Sequence, residues 1–144
     1  MTAEFPLAVH GLVYLLHTGR VTSSAELAGN ICTNPARVRK VMTKLRCAGL
    51  IQAERGQGSG YLTLPDGGRI TLKAVMQALD EEPVAMKWHS GDVDMECLVA
   101  SGMGEVMDEI YAGMNENCME LLETITDKCE DVANCIEGIV LENS

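Results

Sequence analysis

The stretch that most constrains this chain is residues 33–64, TNPARVRKVMTKLRCAGLIQAERGQGSGYLTL. Its first half predicts one helix. Asn34 is a good N-cap, because its side-chain oxygen can accept an orphan amide of the first turn, and Pro35 brings the φ that the first helical residue needs. Val38, Val41, Met42 and Leu45 recur at i, i+3, i+4 and i+7, one apolar stripe at helical period. On the other side Arg37, Lys40 and Lys44 fall at i, i+3 and i+7, flanked by Arg39 and Arg46. Gly49 predicts the stop, by the left-handed route. The second half cannot continue a helix. Three glycines at alternate positions separate two apolar runs, about 50–54 and 60–64, which predicts a hairpin with an irregular tip at 55–59. A phosphate-cradling loop would need Gly-Lys-Ser/Thr opening a helix, whereas Tyr61, Leu62 and Leu64 continue a strand.

The flanks supply further helices. Residues 3–18 carry Phe5, Val9, Leu12, Val13 and Leu16 at helical spacing and end at Gly19. SSAE predicts a capping box, Ser23 accepting from the Glu26 amide while Glu26 reaches back. It opens a short helix from Ser24 to about Ile31, with Leu27, Ala28 and Ile31 on one face. After the PDGGR turn, Thr71 caps a helix over 72–80 with Leu72, Val75, Met76 and Leu79 as its stripe. Residues 81–96 show no period and form a connector. A long helix follows from Leu98 to Ile125. Met103, Met107, Ile110 and Met114 keep a 4-3-4 spacing that Leu121 and Ile125 continue, a seam that needs a partner helix. A last short helix is expected over 127–140, around Val132, Ile136 and Ile139. The order predicts a mainly α fold with a small β-hairpin wing. A winged helix-turn-helix would span 1–82, a connector and possible sensor loop 83–97, and a dimerisation helix with a C-terminal helix 98–144.

Charge divides along the same line. The net charge is −10. Residues 20–73 nevertheless hold nine of the eleven Lys and Arg against three acids, a local +6. Residues 74–144 hold seventeen acids and two bases, a local −15. A basic module on an acidic body suits nucleic acid, because binding depends on local phosphate contacts and the acidic half repels DNA from the wrong face. The basic helix fits the major groove, the only one wide enough for it. Arg55 would approach the minor groove, and Gly56, Gln57 and Ser59 would bring wing backbone to phosphates. Lys44 and Arg46 would mainly hold phosphates. A different class of function stays open, an adaptor whose winged helix binds protein rather than DNA. No catalytic constellation is visible: no Ser or Cys has a plausible base, and no paired carboxylates mark a cleft. No run is long and apolar enough to span a membrane, and the N-terminal apolar run lacks a basic leader, so the expected compartment is the cytoplasm. The six cysteines form no CxxC pair and are expected as free thiols, several buried, with Cys32 and Cys47 as core or spacer and Cys118, Cys129 and Cys135 as packing residues.

The segments AVHGLVYL, TSSAELA, TNPARVRKVMTKLRCAGLI, RGQGSGYLTL and ITLKAVMQALDEE occur in the order and spacing of the Rrf-two (Rrf2) family of winged-helix transcription regulators, which this sequence resembles closely over 5–82 and more loosely along the long helix. The resemblance implies a homodimer crossed through the long helix, binding double-stranded DNA at a palindromic operator, with a repressor expected. Carried over by position, the base-reading surface falls on Asn34, Ala36, Arg37, Arg39 and Lys40, and the wing arginine on Arg55. Gln57 stands where many members have proline.

The sensor end departs from the family. Its cluster-binding members carry three cysteines, roughly six apart, before the long helix, and this chain has only Cys97 there, among Asp92, Asp94 and Glu96. Two readings remain at this site: a lone redox thiol, or an iron–sulfur cluster or metal between subunits held by Cys97 and His10, with His89 or a carboxylate completing the set. His10 lies where some members place a histidine ligand, but it also sits beside an apolar stripe, as a core histidine would. A small-ligand pocket walled by Trp88, Met86 and Tyr14 is a third route.

Overall fold

The computed structural model describes residues 3–65, 69–85 and 91–142, with side chains described up to Thr126. The chain forms two compact units, Thr2–Glu81 and Glu82–Ser144.

The first unit holds four helices and a hairpin: α1 (Glu4–Thr18), α2 (Ser24–Ile31), α3 (Pro35–Cys47), β1 (Ile51–Glu54), β2 (Gly60–Thr63) and α4 (Leu72–Leu79). Helix α3 forms as its sequence predicts. The Asn34 side chain accepts from the Arg37 amide at 2.8 Å, and Pro35 opens the first turn. At the far end the Leu50 amide donates to the Leu45 carbonyl and the Gly49 amide to the Arg46 carbonyl, a Schellman closure made possible by Gly49 at φ 75°. Val38, Val41, Met42 and Leu45 are wholly buried. Burying each is worth about 1.5–3 kcal/mol, so this stripe anchors the unit.

Helix α1 shows a different face from the expected one. Leu7, Ala8, Gly11, Leu12 and Leu15 are buried, while Val13 and Leu16 are exposed and Phe5 and Val9 pack at the core margin. The helix carries apolar residues on two overlapping stripes. Gly11 lies on the buried stripe, where the Met42 methyl occupies the place its Cβ would take.

The hairpin pairs Ile51 with Thr63 through to Glu54 with Gly60. It is pinned to the α1–α2 link by mutual backbone bonds between Thr22 and Tyr61, both 2.9 Å. This contact explains the glycine spacing. Gly56 and Gly58 take φ of 100° and 86°, the left-handed region that a tight tip requires. A Cβ on Gly60 would stand 2.4 Å from the Thr22 carbonyl oxygen, a backbone atom with no room to give.

The second unit is dominated by α5, Leu98–Glu142, 45 residues and about 68 Å long at 1.5 Å per residue. The expected break before a separate C-terminal helix is absent: the helix continues through 127–140, since no proline or glycine interrupts residues 114–137. Asn115 clamps the connector to it, its side chain accepting from the Val84 amide at 2.8 Å and donating to the Val84 carbonyl at 3.1 Å. Val99, Val106, Ile110, Met114, Leu121 and Ile125 are all exposed on α5. Met103 and Met107 lie half-buried along the same stripe.

Candidate nucleic-acid interface

Helix α2 starts on Ser23, whose hydroxyl accepts from the Glu26 amide at 3.1 Å. The other half of the expected capping box is not made. The Glu26 carboxylate instead takes two bonds from Arg20, at 3.2 and 2.5 Å, and one from the Tyr14 hydroxyl at 3.1 Å. The Arg20 guanidinium holds the Glu26 carboxyl below its ordinary value, and Glu26 in turn pushes the Tyr14 hydroxyl up. Arg20 therefore belongs to the scaffold. A tight turn with Cys32 at φ 60° then leads into Asn34 and α3.

The expected DNA-facing residues are outward. Asn34, Ala36, Arg37, Arg39, Lys40 and Arg46 are exposed on α3 and its cap, as are Arg55, Gly56, Gln57 and Ser59 on the wing tip; Lys44 is half-buried. Their cations differ in availability. Arg37, Arg46 and Arg55 make no ion pair among the described residues. Arg39 donates to the Ser24 hydroxyl at 3.3 Å. Lys40 and Lys44 converge on Glu4 at the start of α1, at 2.5 and 2.7 Å, and Lys44 also donates to the Leu79 carbonyl at 3.0 Å. The bond from Lys40, then that from Lys44, holds the Glu4 carboxyl below its ordinary value. Lys44 thus ties three helices together, a role that its place in the basic row does not reveal. Glu4 is the residue that sequence reading missed: its partners lie 36 and 40 positions away, and the only signal was an acid in a helix's first turn.

The sensor candidates fare differently. Cys97 directly precedes α5 and is exposed. The Ala100 amide, then that of Val99, bonds its sulfur and holds the thiol below the usual value, the effect of a helix start on a thiol. Asp92, Asp94 and Glu96 are exposed around it. His10 is not a core histidine: it is exposed, with Nε2 2.8 Å from the Asn30 side-chain oxygen. His89, Trp88 and Met86 lie outside the described residues, as do the Cys129 and Cys135 side chains. Of the two readings for Cys32 and Cys47, core or spacer, their exposure fits the spacer, because leucine, valine and methionine fill the core; Cys118 is half-buried on α5. Among the described residues no three His, Cys, Asp or Glu side chains come together as a metal site. One thiol among hard carboxylates is a poor donor set for an iron–sulfur cluster, so the described residues do not fit that group.

A capped helix, a tight turn, an outward basic helix and a glycine-tipped hairpin pinned to the helices define a winged helix-turn-helix, the fold of DNA-binding regulators. The chain belongs to the Rrf2 family: the family model described as iron-dependent transcriptional regulator matches residues 1–128. Members of this family are DNA-binding transcription regulators, not enzymes. Among solved structures, a candidate transcriptional regulator from Lactobacillus plantarum is similar with a TM-score of 0.77 at 18% identity, covering 99% of this chain and 98% of that one. IscR of T. potens is similar with a TM-score of 0.61 at 15% identity, over 92% and 87% of the two chains. CymR, the global cysteine regulator of B. subtilis, is similar with a TM-score of 0.54 at 18% identity, over 81% and 86%. No curated protein matches the sequence. No helix among the described residues is long and apolar enough to cross a membrane.

Proposed function

We propose that this chain is a homodimeric repressor that occupies a palindromic operator, with α3 in the major groove and the wing at the flanking minor groove. The observation that supports the interface is the set of exposed guanidinium groups without ion-pair partners among the described residues, Arg37 and Arg46 on α3 and Arg55 on the wing. Asn34, Ala36 and Arg39 complete the base-reading surface, and Lys40, once released from its pairing with Glu4, meets the DNA at the phosphate beside it. The exposed apolar stripe of α5 supports the dimer.

Arg37→Ala and Arg55→Ala each weaken operator binding by about 1–3 kcal/mol without lowering the melting temperature. Fluorescence anisotropy with operator duplex, repeated over a salt series, checks this. The protein-adaptor reading predicts instead no salt-dependent binding to duplex, and binding to a protein partner that survives loss of Arg37 and Lys40.

For the signal, the exposed, acidified Cys97 thiol favours a redox input over a cluster. The iron dependence in the family's description makes metal analysis of protein purified without oxygen the companion measurement. Mild peroxide is expected to change operator affinity in the wild type and not in Cys97→Ser. A coloured, iron-bearing protein that loses its colour in Cys97→Ala and His10→Ala decides for the cluster.

A further inference from the structure

We propose that Glu4 is an intramolecular counter-anion for the DNA-facing helix, occupying Lys40 in the free protein until a DNA phosphate displaces it. The proposal rests on the reading of α3 as the DNA-contacting helix, and it adds a residue that sets the strength and salt dependence of phosphate binding to that reading.

Three observations carry it. First, the Glu4 carboxylate is built in: its side chain is only 14% exposed and sits between two ammonium groups. Second, the two lysines are not equivalent. Lys44 is anchored to the Leu79 carbonyl as well, so it stays in place when Glu4 is lost. Lys40 pairs with Glu4 alone among the described residues, and its side chain is 65% exposed, within reach of an approaching phosphate. Third, a cleft of about 380 Å³ opens at this spot, with Glu4, Arg37, Lys40 and Lys44 among its lining residues, so the Lys40–Glu4 pair lies on an open surface.

The consequence follows from counterion release. A lysine already neutralised by a carboxylate has few condensed counterions to release, and DNA must first break the pair. The pair therefore discounts one phosphate contact on any duplex, while Arg37, Arg46 and Arg55 keep theirs. Binding to arbitrary DNA is almost wholly electrostatic, so it reads this cost most directly.

The test uses the full-length protein and an unrelated labelled duplex, titrated by fluorescence anisotropy across a salt series. Glu4→Gln is expected to bind roughly threefold to tenfold tighter than wild type, with a salt slope steeper by close to one unit. Lys40→Gln is expected to cost more affinity in the Glu4→Gln background than in the wild type. Wild-type affinity and slope in Glu4→Gln, or weaker binding, overturns the proposal. Should Glu4→Gln fail to fold, the wild type suffices: the Glu4 carboxyl carbon resonance is expected to shift when unrelated duplex is added, and an unmoved resonance overturns the proposal. A wild type without salt-dependent duplex binding overturns the reading of α3 itself, so the two failures are distinguishable.

Discussion

In the unit Thr2–Glu81, α3 turns Val38, Val41, Met42 and Leu45 wholly inward and its arginines outward. Along α5 the arrangement is reversed: Val99, Val106, Ile110, Met114, Leu121 and Ile125 stay exposed. At about 100° per residue these six fall within one stripe, and Glu105, Asp108, Glu109 and Glu116 fall on the remaining faces. One region has closed its core with its own residues. The other has the pattern of a buried helix with nothing described to bury it, and a helix in that condition draws stability from a partner. The difference separates two tasks. The winged helix presents charge on a core closed by its own residues, and α5 carries the exposed apolar stripe that the proposed dimer would cover.

The largest expected effect breaks the comparison at α5. In the proposed dimer Ile110→Glu would place a carboxylate in each half of the seam, and its unpaired burial is expected to weaken dimerisation on the order of a thousandfold, about 4 kcal/mol. Sedimentation equilibrium reads this directly. A dimer that is indifferent to the change would mean that the stripe serves some other contact. The melting transition of the winged helix is expected to survive, because its core does not draw on Ile110.

The matching change in the other unit sharpens the contrast. Leu45→Ala empties a wholly buried site on α3 and is expected to cost about 2–5 kcal/mol of folding stability in the monomer. Val106→Ala removes a side chain that a single chain leaves exposed, so its cost appears only as a concentration-dependent loss in the dimer. Urea unfolding at two protein concentrations separates these cases. A Val106→Ala penalty that is independent of concentration would erase the distinction between the regions.

What the sequence disclosed follows from the range over which each signal acts. The α3 cap, stripe and stop are local, and Asn34, Pro35 and Gly49 announce them within a turn. Each glycine of the wing was visible, but the reason for Gly60 was not, since the Thr22 carbonyl it makes room for lies 38 positions earlier. The buried face of α1 is not legible locally because two apolar stripes overlap there, and the distant core residues it packs on decide between them. The sequence reading expects a separate helix over 127–140, yet no proline or glycine between residues 114 and 137 breaks α5 before it. Charge runs were legible as runs. Which cations remain available was not: Arg20 turns to Glu26, and Lys40 and Lys44 turn to Glu4.

That last pairing gives the smallest and most specific prediction. Glu4 is held below its ordinary value by the bonds from Lys40 and Lys44. A carboxyl depressed in the folded state binds its proton less readily than in the unfolded chain. Its stabilising contribution is therefore complete above the unfolded value, about 4.3, and is lost as pH falls through the folded one. The winged helix should accordingly lose stability on acidification below about pH 5, and Glu4→Gln should flatten that part of the curve while leaving the Glu26 contribution from Arg20 in place. The comparison with α5 is sharpened in the same experiment. In the proposed dimer its clustered acids lie on two copies joined along one seam, so acidification relieves repulsion there while it removes the Glu4 tie in the winged helix. Chemical unfolding followed from pH 7 to 3 is expected to show the winged helix weakening as dimer association strengthens. Parallel weakening of both would mean that the acidic faces of α5 do not oppose one another across the seam.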